Sequence, residues 1–395
     1  MSVSEHLIIV PIVLPLAAGA VMSLIDERRF ALKSAISLTA ALALVAAAIA
    51  LVEAVDASPM DVYRVGDWAA PFGIVLVADR LSAVMVLLAS VLGFTSLIFS
   101  IARWERAGPR FHVLVQFLLT GVNGAFLTGD LFNLFVFFEV LLAASYGLAL
   151  HGAGTARVRA SLHYVAVNLL ASLLFLIGVS VIYGVTGTLN MADLALRIPA
   201  LAEENRTLLE AGAAILGIAF LTKAGMWPLC SWLPPAYSAA GAPAAALFAV
   251  LTKVGVYVVL RTWLLFFGPE TSASANFGGE LLMIGGMATL AFGTIGMVAS
   301  QALPRLASHS LLMSAGTLLA AIGMGSVAVT SAALYYLVAS TLGVSALFLL
   351  VELMERGRTP GADIIAVTAE AFVEPDQGLC SVLATLETPA HQALV

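Results

Sequence analysis

An all-α polytopic membrane bundle of about eleven spans is the fold class this sequence predicts, and three observations carry it. Hydrophobic residues fill 61% of the 395 positions and charged residues only 11%, against about a quarter charged in an ordinary globular chain. Apolar runs of about 20 residues, the length that crosses a hydrocarbon core about 30 Å thick, recur along the chain. Alternating strand patterns are absent, so in lipid the backbone must satisfy its own hydrogen bonds as helices.

Taken in order, the spans fall near 6–25, 31–52, 74–101, 111–128, 131–151, 161–184, 209–233, 243–267, 280–300, 305–325 and 328–352. The first has no basic stretch before it and no small-residue cleavage site, so it reads as a retained helix rather than a signal peptide. Two connections are longer than the rest: 53–73, with Pro59 and Pro71, and 185–208, with Asp193, Arg197, Glu203, Glu204 and Arg206. The second has room for a short interfacial helix. Loops after odd-numbered spans, with the tail, hold eleven basic residues: Arg28, Arg29, Lys33, Arg103, Arg106, Arg110, Arg157, Arg159, Arg305, Arg356 and Arg358. Loops after even-numbered spans hold three, Arg64, Arg197 and Arg206. Basic residues stay on the cytoplasmic side, so the N-terminus is predicted outside and the C-terminus in the cytoplasm. Past Glu352 no apolar run of span length returns, which predicts a poorly ordered cytoplasmic tail over 353–395.

The composition also excludes function classes. Cys230 and Cys380 are the only cysteines, one in a span and one in the tail, so neither a disulfide framework nor a metal site is suggested. A net charge of −6 with scattered basic residues argues against nucleic acid. Motifs for nucleotides, haem, metals and nucleophilic catalysis are missing, so a transporter is expected, with no catalytic, cofactor-binding or metal-ligating residues.

Four basic residues fall inside spans: Arg80, Lys223, Lys253 and Arg261. A charge at the centre of a spanning helix costs about 2.5–3.5 kcal/mol. Glu139, Lys223 and Lys253 all sit near span centres, beyond easy reach of an interface. The bland reading is a structural Glu–Lys pair. One acid facing two bases leaves a charge unmatched, however, which favours a titrating proton relay. Burial disfavours the charged form of each group and a nearby opposite charge restores it. A lysine alternately near to and far from Glu139 would hold its proton in one state and release it in the other.

The stretch "TKAGMWPLCSWLPPAYSAAGAP" at 222–243 adds a helix break. Pro228 removes a backbone donor and crowds the carbonyl of Ala224, while Pro234 and Pro235 are expected to end the helix. Broken helices beside ionisable groups are how many transporters place sites near the midplane. Asp130 either opens a proton inlet or caps the helix beginning at Leu131. His309 is a softer relay candidate, since a lone histidine is more often a satisfied core residue. Asp79 and Arg80, near the outer end of the third span, read as anchors, and His163 and Arg261 lie close enough to interfaces for bland explanations.

Four segments then carry a resemblance: "TGDLFNLFVFFEVLLAASYGL" (128–148), "FLTKAGMWPLCSWLP" (220–234), "LFAVLTKVGVYVVLRT" (247–262) and "LLVELMERGRTPGADIIAVTAEAF" (349–372). Over roughly residues 5–372 the chain resembles the D-type subunits of multi-subunit Mrp-type Na+/H+ antiporters. These are relatives of the proton-pumping membrane subunits of respiratory complex I and membrane-bound hydrogenases. The resemblance implies that Glu139 is the family's essential fifth-helix glutamate, Lys223 its lysine on the broken seventh helix and Lys253 its eighth-helix lysine. It places His309 near where relatives continue the hydrophilic axis. It also implies inverted five-helix repeats after an N-terminal segment over 1–110. The first repeat falls on 111–267, and the second is incomplete over 280–352.

Two departures accompany it. Relatives commonly have Asp and His after "WLP", where this chain has Pro235, Tyr237 and Ser238. The family also continues past "GADIIAVTAEAF" into at least three further helices, one with another relay lysine. Here the last 20 or so residues look unrelated, as a frameshift or premature stop would leave them.

The function expected is that of a membrane subunit in a Na+ or K+/proton antiporter complex of a bacterial inner membrane. Its partners would be the other subunits, protons, Na+ or K+, and the bilayer. The alternatives are a proton-pumping subunit of an NADH:quinone oxidoreductase or hydrogenase complex, and a truncated, inactive product.

Overall fold

A computed structural model describes residues 6–68, 73–268 and 274–358. In chain order the elements are α1 (Val10–Ser23), α2 (Phe30–Ala57), β1 (Met60–Arg64), β2 (Val75–Asp79), α3 (Arg80–Ile101), α4 (Phe111–Leu127) and α5 (Leu131–Leu150). There follow α6 (Thr155–Thr186), α7 (Met191–Arg197), α8 (Glu203–Ala224), α9 (Leu233–Ala239) and α10 (Ala242–Phe267). The last three are α11 (Gly279–Ala299), α12 (Leu303–Gly323) and α13 (Val327–Arg358). The fold is an all-α polytopic membrane bundle. Among the described residues nine helices are long and apolar enough to cross a membrane, and α1 and α4 are shorter apolar helices of 14 and 17 residues.

Helix starts follow local chemistry. Asp79 opens α3 with a reciprocal capping box, its carboxylate accepting from Ser82 N while Ser82 Oγ accepts from Asp79 N. Asp130 Oδ1 accepts from Asn133 N at the start of α5, and Asn190 Oδ1 accepts from Ala192 N and Asp193 N at the start of α7. Helix α10 is the axis of the bundle, buried without interruption from Ala242 to Leu260, with α3, α8, α12 and α13 packed around it. Between α11 and α12, Gly286, Gly316 and Gly323 each face backbone of the other helix so closely that a methyl group would collide. Small residues at contacts are how helices approach in lipid, where no hydrophobic force draws them together.

Neighbouring helices alternate in direction, giving the bundle two ends. One carries the β1–β2 hairpin, where Leu76 pairs with Thr128 and Asp79 meets Arg261. The other carries a short 3₁₀ turn at Trp104–Arg106, whose indole Nε1 donates to Glu352 near the end of α13 at 2.7 Å.

The structure corrects the sequence reading in five places. The expected all-α chain contains an antiparallel hairpin, and β2 takes up the first residues of the predicted third span, so α3 starts at Arg80. The 185–208 connection does hold a short helix, α7, and α8 then begins at Glu203 rather than 209. The break in the seventh span starts earlier than Pro228, because Gly225 takes a left-handed φ of 75° and ends α8. Pro234 and Pro235 do not end a helix: they occupy the first turn of α9, where an N–H has no partner to lose. Helix α13 continues through Arg358, and the remaining tail, with its expected disorder and foreign ending, lies outside the described residues, as does Pro71.

Candidate functional site: a buried line of carboxylate, lysines and hydroxyls

Glu139 lies midway along α5, half-buried, and Lys223 lies one residue before the end of α8 with 4% exposure. Between them stands Ser172 of α6. Its hydroxyl donates to Glu139 Oε1 and accepts from Lys223 Nζ at 3.2 Å. A serine hydroxyl has one proton and two lone pairs, so it can link an acid to a base through both roles at once. The Lys223 ammonium also lies 4.9 Å from the Phe138 ring centre, a cation–π distance.

Beyond Lys223 the chain leaves helical form until α9. Met226 N still reaches back to Leu221 O, Trp227 N donates to Thr289 Oγ1 at 2.8 Å on α11, and Trp232 Nε1 donates to Thr222 O at 3.3 Å. The break is therefore supported by bonds to other groups, as lipid demands. Lys223, Asn168, Trp232 and Tyr237 share a cavity of about 10 Å³, roughly the space for the centre of one water. Tyr237, which stands where relatives were expected to carry other polar groups, has its buried hydroxyl without a protein partner there.

Lys253 is wholly buried on α10. Gly255 lets α10 touch the end of α8: a Cβ there would lie 2.6 Å from Ala224 N. That close approach brings the two lysine-bearing helices together. Lys253 Nζ donates to Ser314 Oγ of α12 at 2.7 Å, and Ser314 Oγ donates to Ser340 Oγ of α13 at 2.9 Å. No carboxylate comes within ion-pair distance of Lys253 among the described residues.

The weaker candidates separate. Asp130 does cap α5, and it also lines a cleft of about 280 Å³ with Phe132, Tyr183 and Thr188. Burial raises its carboxyl above the usual range, opposed by the hydrogen bond from Asn133 N. His309 faces α11, against Gly296 and Phe292, while Ser314 of the same helix is the residue that meets Lys253. Asp79, read as an anchor, and Arg261, read as a residue near an interface, form an ion pair at 2.8 Å, and Arg261 also donates to Tyr257 OH at 3.0 Å. Tyr257 in turn donates to Phe126 O at 2.6 Å. Ser172, Ser314 and Ser340 escaped the sequence reading altogether.

Titratable side chains held inside a polytopic helical bundle, at a supported helix break, define a class: membrane proteins that move ions. Residues 128–388 match the family described as NADH:quinone oxidoreductase/Mrp antiporter, TM, a match that extends past Phe372. The chain is 58% identical over 378 residues to the D-type subunit of a probable K(+)/H(+) antiporter from Rhizobium meliloti, covering 94% of this chain and 70% of that one. It is 36% identical over 379 residues to the D-type subunit of a Na(+)/H(+) antiporter from Bacillus subtilis, covering 95% and 73%. A chain of the Mrp complex from Dietzia sp. superposes with a TM-score of 0.81 at 32% identity, over 88% of this chain and 64% of that one. A chain of respiratory complex I from Thermus thermophilus shares the fold, with a TM-score of 0.76 at 24% identity, over 89% and 72%. This chain thus spans about two thirds of the length of these relatives. It belongs to the NADH:quinone oxidoreductase/Mrp antiporter family, as a member similar to the D-type antiporter subunits.

Proposed function

We propose that the chain is a membrane subunit of a bacterial inner-membrane complex that exchanges Na+ or K+ for protons, and that it carries the protons. The observation that supports this most is the shared hydroxyl: Glu139 and Lys223, on different helices, both bond Ser172, with Lys223 one residue from a helix break. Lys223 lies two residues before the left-handed Gly225 that ends its helix, so its ammonium can shift with that helix end while Glu139 stays on a continuous helix. Near Glu139 the ammonium is matched by a carboxylate. Moved away, it is an unmatched charge in a low-dielectric interior and gives up its proton to the next acceptor. Lys253 is that acceptor in this reading, and Ser314 and Ser340 lead onward from it.

The reading takes α1 and α4 as spans, which gives eleven, with the N-terminus outside and the Trp104 end in the cytoplasm. It assigns 1–110 to an N-terminal segment, 111–267 to one five-helix repeat and 280–352 to part of its inverted partner. Antiport is favoured over a redox-driven pump because the relatives at 58% and 36% identity are both named as antiporter subunits. Lys223→Ala in an assembled complex tests it: proton-coupled antiport should fall to background with the subunit still in the membrane. Undiminished antiport would refute the relay.

A further inference from the structure

Helix α4 carries a second buried polar line that the proton relay leaves unused. His112, Gln116, Thr120 and Asn123 recur at i, i+4, i+8 and i+11, which is one face of a helix, and all four are buried. From the first to the last the face rises about 16 Å at 1.5 Å per residue, about half the hydrocarbon thickness. At the Trp104 end, His112 Nε2 lies 3.2 Å from Glu105 Oε2 and 3.0 Å from Ser34 Oγ, and Ser34 also donates to Glu105. Lys33 beside them is matched by Glu27 at 2.7 Å, and Arg106 lies 3.7 Å from Glu105 at the surface. At the other end Asn123 Nδ2 donates to Pro11 O at 2.9 Å, in the first turn of α1. That carbonyl is free because Pro15, four residues on, has no N–H to offer it.

The orientation of both amides is settled by what they touch. Gln116 Nε2 donates to Ser37 O at 3.0 Å and Asn123 Nδ2 donates to Pro11 O. A backbone carbonyl only accepts, so in each amide the nitrogen must face it. The two amide oxygens are thereby turned away, and Gln116 Oε1 and Asn123 Oδ1 are both buried with no partner, as is His112 Nδ1. Gly93 packed on Leu119 sets the register of antiparallel α3 along α4. That register brings Ser96, another buried hydroxyl without a partner, level with Gln116. Buried polar atoms nearly always have a partner, from the protein or from something bound. Several unpartnered atoms along one seam mark a line that binds something.

The chemistry of the seam selects the occupant. Between His112 and Asn123 no side chain on this face titrates, so, unlike the lysine line, it has no group that can store a proton on the way. It offers neutral amide and hydroxyl oxygens, with the Glu105 carboxylate at one mouth. Rings of neutral oxygens replace the hydration shell of alkali cations, and hard cations take oxygen ligands. We infer that the α4 face binds a partly dehydrated monovalent cation, forming a cation route separate from the Glu139–Lys223–Lys253 line. This rests on the antiporter reading proposed above.

The test uses the complete complex assembled with this chain, with antiport measured in everted vesicles while Na+ and K+ are titrated separately. Gln116→Leu and Asn123→Leu should each raise the half-saturating cation concentration about tenfold, as loss of one buried oxygen ligand implies, with the maximal rate kept. Thr120→Val keeps the shape and both amide bonds, and should raise it about threefold. Glu139→Gln should do the reverse, lowering the maximal rate with half-saturation unmoved. Cation-dependent thermal stabilisation of the purified complex gives a second readout that needs no turnover. It should shrink in the α4 variants and persist in Glu139→Gln. Half-saturation within twofold of the parent in all three α4 variants, with full thermal stabilisation, overturns the cation route. So does equal loss of maximal rate in all three at normal half-saturation. A complex without antiport whose cation-dependent stabilisation still needs Gln116 and Asn123 would sink the antiporter reading and keep the cation site on α4.

Discussion

Lys223 and Lys253 are both buried ammonium groups near the middle of apolar helices, yet their surroundings differ in kind. Lys223 shares Ser172 with a carboxylate, lies over the Phe138 ring and sits at the end of a helix whose chain then unwinds. Lys253 sits in the uninterruptedly buried stretch of a continuous helix and, among the described residues, bonds only a hydroxyl, Ser314, and through it Ser340. One lysine has a counter-charge and a helix end beside it. The other has dipoles alone and a rigid backbone. A charge-matched site can hold a proton, and an unmatched one is suited to passing it on, so the difference gives the line a direction.

The sharpest way to break the comparison is to remove each charge in turn. Lys223→Met and Lys253→Met should both bring antiport to background, the largest effect expected anywhere in the chain. Their stabilities should part company. Lys223→Met strands the Glu139 carboxylate and should lower the melting temperature of the complex, whereas Lys253→Met removes an unmatched buried charge and should raise it, each by about 2–4 °C. Shifts of the same sign in the two variants would show that their environments are equivalent after all.

Next in size are the hydroxyls. Ser172→Ala removes the one group that, among the described residues, bonds both Glu139 and Lys223, and the maximal antiport rate should fall about tenfold, the value of one hydrogen bond to a charged group. Ser314→Ala should cost less, about threefold, because no carboxylate depends on it for contact with Lys253. If the order of the two were reversed, Lys253 rather than Lys223 would be the controlling site.

These serines also show where the sequence stops being informative. Glu139, Lys223 and Lys253 stand out in it because a charge in an apolar run is costly and therefore rarely accidental. Serine has no such signature: Ser180, on the same helix as Ser172, merely returns its hydroxyl to Leu176 O of its own helix. The span pattern was legible because span length follows from bilayer thickness, and the hairpin was not, because β2 is as apolar as the helix it precedes. Prolines 234 and 235 misled for a physical reason, since the same residue that stops one helix starts another. Nothing along the chain could pair Asp79 with Arg261, which lie 182 residues apart.

That pair supplies a smaller, structural prediction. Arg261 of α10 is tied to the start of α3 through Asp79 and also donates to Tyr257 of its own helix, at the hairpin end. The pair is partly exposed, with 15% and 30% side-chain exposure, so Arg261→Gln should destabilise by only about 1 kcal/mol and leave antiport within twofold. Arg261→Lys should not restore the loss fully, because an ammonium cannot keep the guanidinium's geometry towards both partners. A collapse of antiport in Arg261→Gln at normal stability would extend the proton line to the hairpin end.

The smallest effect belongs to Asp130, and its sign follows from linkage. Burial raises its carboxyl above the ordinary value, so the folded chain binds that proton more tightly than the unfolded chain does. The stability this contributes is fully present below the ordinary carboxylate value and is lost as pH rises through the raised one. Asp130→Asn should therefore flatten the melting temperature across the window just above the ordinary carboxylate range, while Asn still caps α5. If Asp130 is only a cap, that flattening is all that changes. If the cleft of about 280 Å³ beside it admits protons towards Glu139, the variant will also match the parent's antiport at acidic pH and fall below it as pH rises through the raised value, where the parent's carboxylate is charged. A pH–rate profile of Asp130→Asn that keeps the parent's shape would confine Asp130 to holding the start of its helix.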